Sequence, residues 1–167
     1  MEILFMFIYS VRASTVKFFA FIALSLILLG SIALFGGNNA VAASASGEWI
    51  DFDGMKTNED RVNFIKSFGI EIDTEPVEEQ SFAMPDNFDR VILGYNELQK
   101  KQGLDISKYA KKKVTRYAYK VTNYDSDGEV YANLFIHRGK IIACDVSSVS
   151  PDGFVVPLTL IDKAKLK

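Results

Sequence analysis

Residues 18–35, FFAFIALSLILLGSIALF, form an apolar run without a charged residue, and Arg12 and Lys17 precede it. As a helix rising about 1.5 Å per residue, the run reaches roughly 27 Å, close to the ~30 Å of a bilayer's hydrocarbon core. It predicts contact with the lipid bilayer through residues 18–35. The cations on its N-terminal side place residues 1–17 inside as a short cytoplasmic segment and everything after Phe35 outside. Two fates fit the sequence. The helix is retained as a single-pass anchor in the cell membrane, or it is the core of a signal peptide removed near Ala42, releasing a secreted domain. Ala40-Val41-Ala42 has the small residues that a signal peptidase reads, whereas a run longer than the roughly 7–15 residue core of a signal peptide favours retention. No cysteine follows those small residues, which excludes a lipoprotein anchor.

Residues 36–48 are rich in Gly, Ala, Ser and Asn without periodicity and read as a flexible linker. An extracytoplasmic domain at residues 49–167 follows, long enough to bury a core. The chain's one cysteine rules out an intramolecular disulfide framework, so that core must be held by packing.

Within the domain the pattern is helices, then strands. Thr57 or Asn58 caps NEDRVNFIKSFG, where Val62, Phe64, Ile65 and Phe68 share one face and Gly69 is the stop. IEID and VEEQSFAM alternate loosely around Pro76 and suggest short edge strands. PDNFDRVILGYNELQKKQG predicts the longer helix, with Asp86 as N-cap, Phe88, Val91, Ile92, Tyr95 and Leu98 at helical spacing, and Gly103 at its exit. Three strand patterns then follow, VTRYAYKVTNY, EVYANLFIH and KIIACDVSSV. Asp125-Ser126-Asp127-Gly128 and Arg138-Gly139 separate them as hairpin connections. The expected fold class is therefore α+β. An antiparallel β-meander of three or more strands packs against two helices, and the N-terminal transmembrane helix or signal sequence precedes it.

The turns set a register. A two-residue Arg138-Gly139 turn pairs His137 with Lys140, Ile136 with Ile141, Leu134 with Ala143 and Asn133 with Cys144. A four-residue loop at Asp125 to Gly128 pairs Tyr119 with Leu134, Val121 with Ala132 and Tyr117 with Ile136. Tyr117, Tyr119, Val121, Val130, Ala132, Leu134, Ile136, Ile141 and Ala143 then share one apolar face, on which both helices are expected to pack. His137 and Cys144, the only histidine and the only cysteine, fall together on the opposite face. Their strand positions separate the backbones by about 13 Å, too far for a base to activate a thiol at about 3 Å.

No other constellation assembles. Asp51-Phe52-Asp53-Gly54 and Asp125-Ser126-Asp127-Gly128-Glu129 have the D-x-D-G shape that opens some calcium loops, but without the later ligands of an EF-hand. Both read as Asp- and Gly-built turns. Trp49, Tyr95, Tyr117, Tyr119 and Phe154 read as core aromatics rather than the lining of a ligand groove. There is no glycine-rich phosphate loop, no G-x-S-x-G and no histidine cluster, so no catalytic, cofactor or metal residue is singled out. Charge is uneven, with 13 acids against 4 bases from Glu48 to Glu97 and 7 against 13 from Leu98 to Lys167. The two halves read first as solvated faces whose charges partly neutralise each other in the fold; the alternative lays the basic part, including Lys108, Lys111, Lys112, Lys113 and Arg116, on anionic lipid, an envelope polyanion or an acidic envelope protein. A slightly acidic exported domain makes nucleic acid a poor partner. These features favour a non-enzymatic binding or interaction module over an envelope hydrolase that uses acidic residues.

The consecutive blocks EDRVNFIKSFGIEID, EPVEEQ, MPDNFDRVILGYNELQKKQGLDISKY, KKVTRYAYKVTNY, EVYANLFIHRGKIIACDV and DGF resemble the bacterial family catalogued as domain of unknown function 4830. The resemblance covers about residues 59 to 154. It implies a membrane-tethered or exported protein of Gram-positive, Clostridia-like bacteria and brings no reaction or site residue. The helix-then-meander order is also similar to small PepSY-like modules that bind or inhibit other proteins, at the level of topology alone.

Overall fold

The computed structural model describes residues 50–150 and 153–167. The apolar run of residues 18–35 and the linker of residues 36–48 lie outside the described residues. Among the described residues no helix is long and apolar enough to cross a membrane.

The first helix, α1 (Asn58–Lys66), starts where a capping box can form. Thr57 Oγ1 accepts from the Asp60 amide at 3.1 Å, and the Asp60 carboxylate accepts from the Thr57 amide at 2.7 Å, so two end donors are satisfied reciprocally. Gly69, with φ +83°, ends the segment as expected. The second helix, α2 (Arg90–Lys100), begins one turn later than the sequence suggests. Its N-cap is Asp89, whose carboxylate accepts from the Ile92 amide at 2.9 Å, while Asp86 pairs with Lys111 at 2.8 Å.

Five antiparallel strands form one sheet in sequence order, β1 (Glu78–Ala83), β2 (Lys113–Lys120), β3 (Val130–His137), β4 (Lys140–Ser148) and β5 (Val155–Pro157). β1 is the expected edge strand, whereas IEID contributes only an isolated bridge between Ile72 and Val121. The Arg138-Gly139 turn pairs His137 with Lys140 and Ile136 with Ile141 as expected. Beyond it a bulge inserts Ile142, so Phe135 faces Ala143, Leu134 faces Cys144 and Asn133 faces Asp145. One extra residue flips every later side chain of β4. Cys144 therefore turns inward beside Leu134, and Ala143 leaves the face to which the sequence assigned it.

The β2–β3 connection is longer than four residues. Val121 donates to Val130 at 2.8 Å, Tyr119 faces Ala132 and Tyr117 faces Leu134. This two-residue slip preserves the faces, because side chains alternate with period two.

The two helices do not share one face of the sheet. Val62, Phe64 and Ile65 of α1 join Tyr119, Leu134, Ile141, Cys144 and Val146 in the larger core. Ile92 of α2 joins Val114, Phe135, Ile142 and Ala143 in a second core, with Tyr95 packed against it. The strands carry apolar residues on both faces, so each face needs its own cover.

After α2, Asp105 caps a short 3-10 turn at Ile106–Tyr109. Hydrogen bonds from Ser107 and from Asn96 hold its carboxyl at about 2, below the ordinary 3.8. A carboxyl whose folded pKa is depressed contributes stability above its unfolded value and loses it as pH falls through the folded one. Replacing Asp105 with Asn should therefore remove part of the stability lost between about pH 4 and pH 2, as read by thermal unfolding across that range. Leu134 is fully buried at the centre of the larger core. Leu134→Ala should cost about 2–5 kcal/mol, measured as a lower urea midpoint.

Candidate functional site

On the α2 face, a chain of polar side chains crosses four strands and reaches the helix. Arg116 is buried on β2, and its Nη1 donates to Glu78 Oε2 of β1 at 3.1 Å. Its Nε and Nη2 donate to Asn133 Oδ1 of β3 at 3.2 and 2.8 Å. Asn133 Nδ2 passes the chain on to Asp145 Oδ1 of β4 at 2.8 Å and to Ser147 Oγ at 3.0 Å. Tyr95 of α2 closes it, donating from its hydroxyl to Asp145 Oδ2 at 2.6 Å.

Each role is fixed by its neighbours. Arg116 can only donate, so Asn133 must turn its oxygen toward β2, which leaves its NH2 for the carboxylate. Burial pushes the Asp145 carboxyl up, and the hydrogen bonds from Tyr95 and Asn133 and the charge of Arg116 oppose that rise. Burial and the neighbouring carboxylate push the Tyr95 hydroxyl well above its ordinary range, so it stays a donor.

The opposite face has a smaller cluster. The Arg61 guanidinium lies 3.8 Å above the centre of the Tyr117 ring. Its Nε donates to the Tyr119 hydroxyl at 2.8 Å, and that hydroxyl donates to Asn58 Oδ1 at 2.8 Å. α1 is thereby tied to β2 by charge as well as by packing.

The outer edge of β4 is held by amides. Cys144 N donates to Gln99 Oε1 at 3.0 Å, and Gln102 Nε2 donates to Cys144 O at 2.7 Å. Gln102 Oε1 in turn accepts from the Thr159 amide and hydroxyl at 3.3 and 3.0 Å. Gln99 Nε2 is buried with no hydrogen-bond partner, a cost of about 1–3 kcal/mol.

His137 and Cys144 lie on opposite faces rather than on one, as a consequence of the Ile142 bulge. His137 Nδ1 sits 2.7 Å from Lys113 O, and its ring meets that of Tyr109 at 5.6 Å. Cys144 is fully buried in the larger core, where burial and then Asp145 push its thiol well above the ordinary value. It is a packing residue and not a nucleophile.

The D-x-D-G stretches are turns whose carboxylates hold lysines. Asp53 pairs with Lys140 at 2.8 Å, Asp125 with Lys167 at 2.7 Å and Glu129 with Lys120 at 2.8 Å. Among the described residues, no three His, Cys, Asp or Glu side chains come close enough to hold a metal ion. A cavity of about 20 Å³, room for about one water, lies between α2 and the sheet with Met84, Ile92, Tyr95, Ile106, Phe135 and Ile142 around it. Its walls are apolar.

Residues 64–146 match the family model described as domain of unknown function (DUF4830). The domain belongs to this family. No curated protein and no solved structure matches the chain. The matched span of the DUF4830 domain runs from within α1 to Val146 of β4, so it contains Glu78, Tyr95, Arg116, Asn133 and Asp145. The segment at residues 50–56, Arg61 and β5 fall outside it.

Sequence reasoning did not find the Arg116–Asn133–Asp145 chain. The signal was a polar residue in the middle of each of two apolar strands, VYANLFIH and KIIACDVSS. The register without the bulge places Asn133 opposite Cys144 and conceals the pair. Asn133→Ala should lower the unfolding free energy by about 2–3 kcal/mol, since Arg116 and Asp145 each lose a buried partner; Tyr95→Phe should cost about 1–2 kcal/mol. Denaturant titration of the two variants checks both values.

Proposed function

We propose that this chain is a membrane-anchored or exported envelope protein whose α+β domain acts as a non-enzymatic binding module. Residues 18–35 engage the lipid bilayer and the domain lies outside the cell. Cleavage near Ala42, giving a secreted soluble domain, is the alternative fate.

The observation that carries the reading is where the reactive chemistry goes. The buried ionisable side chains that could act on a substrate, Arg61, Arg116, Cys144 and Asp145, are engaged in hydrogen bonds within the fold or, for Arg61, also against an aromatic ring. The cavity beside α2 is apolar and small. Such an arrangement stiffens a platform and supports recognition through the surface.

An envelope hydrolase is the second reading, and Asp145 is the residue that favours it. A carboxyl whose pKa is raised by burial is the form that a general acid takes. In that case Asp145→Asn abolishes turnover of an envelope polymer.

The test is a pull-down of the epitope-tagged full chain from envelope extracts of its own host, with intact mass and alkaline extraction on the same sample. The expected outcome is a full-length mass in the membrane pellet with a partner recovered at stoichiometric yield. Turnover of envelope substrates that vanishes with a single Asp or Glu substitution would sink the binding reading. A mass beginning near Ala43 in the soluble fraction would replace the anchor with the secreted form.

A further inference from the structure

One end of the sheet gathers cations from segments far apart in the chain. Lys111, Lys112 and Lys113 lead into β2, Arg138 heads the β3–β4 turn, and Lys56 runs beside that turn. His137 Nδ1 sits 2.7 Å from Lys113 O, which places Lys113 next to the turn. A Cβ on Gly139 would lie 3.7 Å from Lys56 Cγ, which brings Lys56 to the same place. Lys111 and Lys140 are matched by Asp86 and Asp53 at 2.8 Å each. Lys56, Lys112, Lys113 and Arg138 are exposed and form no ion pair among the described residues.

Backbone strain falls at the same end. Lys111 at φ 62° and Arg138 at φ 50° are the non-glycine residues with positive φ among the described residues. With Gly139 at φ 78°, the turn has positive φ at both central positions, a conformation that favours Asn, Asp or Gly first. An arginine there costs stability for which the turn itself offers no return, and strain of this kind concentrates at functional positions.

The chain also joins the domain here. Phe52 O accepts from Ile141 N at 2.8 Å, and Met55 N donates to Gly139 O at 2.9 Å, so the segment following the linker runs along β4 to the basic turn.

We infer that this end is a docking surface for anionic phospholipid headgroups of the bilayer from which the chain emerges, an inference that rests on the reading of residues 18–35 as a membrane segment. Lys and Arg near an anionic surface each contribute to attraction, which decays within a Debye length. A tether that enters beside the patch keeps it within reach of the headgroups.

The test is hydrogen exchange on the full chain reconstituted into vesicles of phosphatidylcholine alone and of phosphatidylcholine with phosphatidylglycerol. The expected result is slower exchange of residues 111–113 and 138–140 in the anionic vesicles, with the difference fading as salt is raised. Each cation removed should weaken the association about fivefold, so that Lys112→Gln, Lys113→Gln and Arg138→Asn together abolish the difference. Arg138→Asn alone should hold or raise the melting temperature, because Asn suits the turn, while reducing the protection. A merely structural arginine would move the two readouts together.

Equal exchange in both vesicles overturns the inference, as does equal protection by soluble polyphosphate without lipid. A chain that fails to enter vesicles counts against the membrane reading alone. Phosphatidylglycerol vesicles added to that soluble chain then yield the same two outcomes for the patch.

Discussion

The extra residue at Ile142 is the constraint on which the arrangement of both faces depends. Without it, β4 would pair with β3 one residue out of step, turning Cys144 toward the α2 face and Asp145 into the α1 core. A carboxylate among Ala132, Leu134 and Tyr119 would meet only apolar groups and one shared hydroxyl, which is among the costliest placements a fold can have. With it, the thiol becomes a small apolar filler and the carboxylate finds Asn133 and Tyr95. The bulge thus sorts β4 into an apolar side and a polar side.

That sorting links the two layers of the domain. α2 is held to the sheet by Ile92 and the apolar cluster at one level and by the Tyr95–Asp145 hydrogen bond at another. The hydrogen bond is directional, and the donor and acceptor roles run without alternative from Arg116 to Tyr95. A helix that slid along its axis would keep much of its apolar contact but would leave a buried carboxylate short of a donor. Apolar packing supplies the bulk of the attraction, and the polar chain selects one seat for the helix.

Much of the fold was legible because it depends on local rules. The Thr57 cap, the glycine stops at Gly69 and Gly103, the Arg138-Gly139 turn and the strand runs are written in contiguous residues. What failed was non-local. The position of the bulge is decided by how Phe135, Ile142 and Ala143 pack against α2, and no turn signal marks it. The second helix was assigned to the wrong face because Val114, Phe135 and Ile142 look like the outward members of alternating strands until the sheet is seen to be covered on both sides. Asp86 and Asp89 both fit a cap, and the pull of Lys111 on Asp86 lies 25 positions away in the chain. The polar chain was hidden for the same reason, since its members are ordinary residues until the bulged register aligns them.

The amides of Gln99 and Gln102 have a consequence for how copies of this domain can combine. A primary amide offers the same donor and acceptor as a peptide group, so the two side chains occupy the Cys144 backbone as a neighbouring strand would. Phe52 does so at Ile141, and β5 covers Asp145 to Ser147. The side of β4 turned away from β3 is therefore filled by this chain's own groups from Ile141 to Ser147. At the other side of the sheet the edge strand is β1, where Glu78 and Glu79 are exposed. Carboxylates on an edge strand disfavour its pairing with the edge of another copy, so β1 carries its own guard against edge-to-edge association.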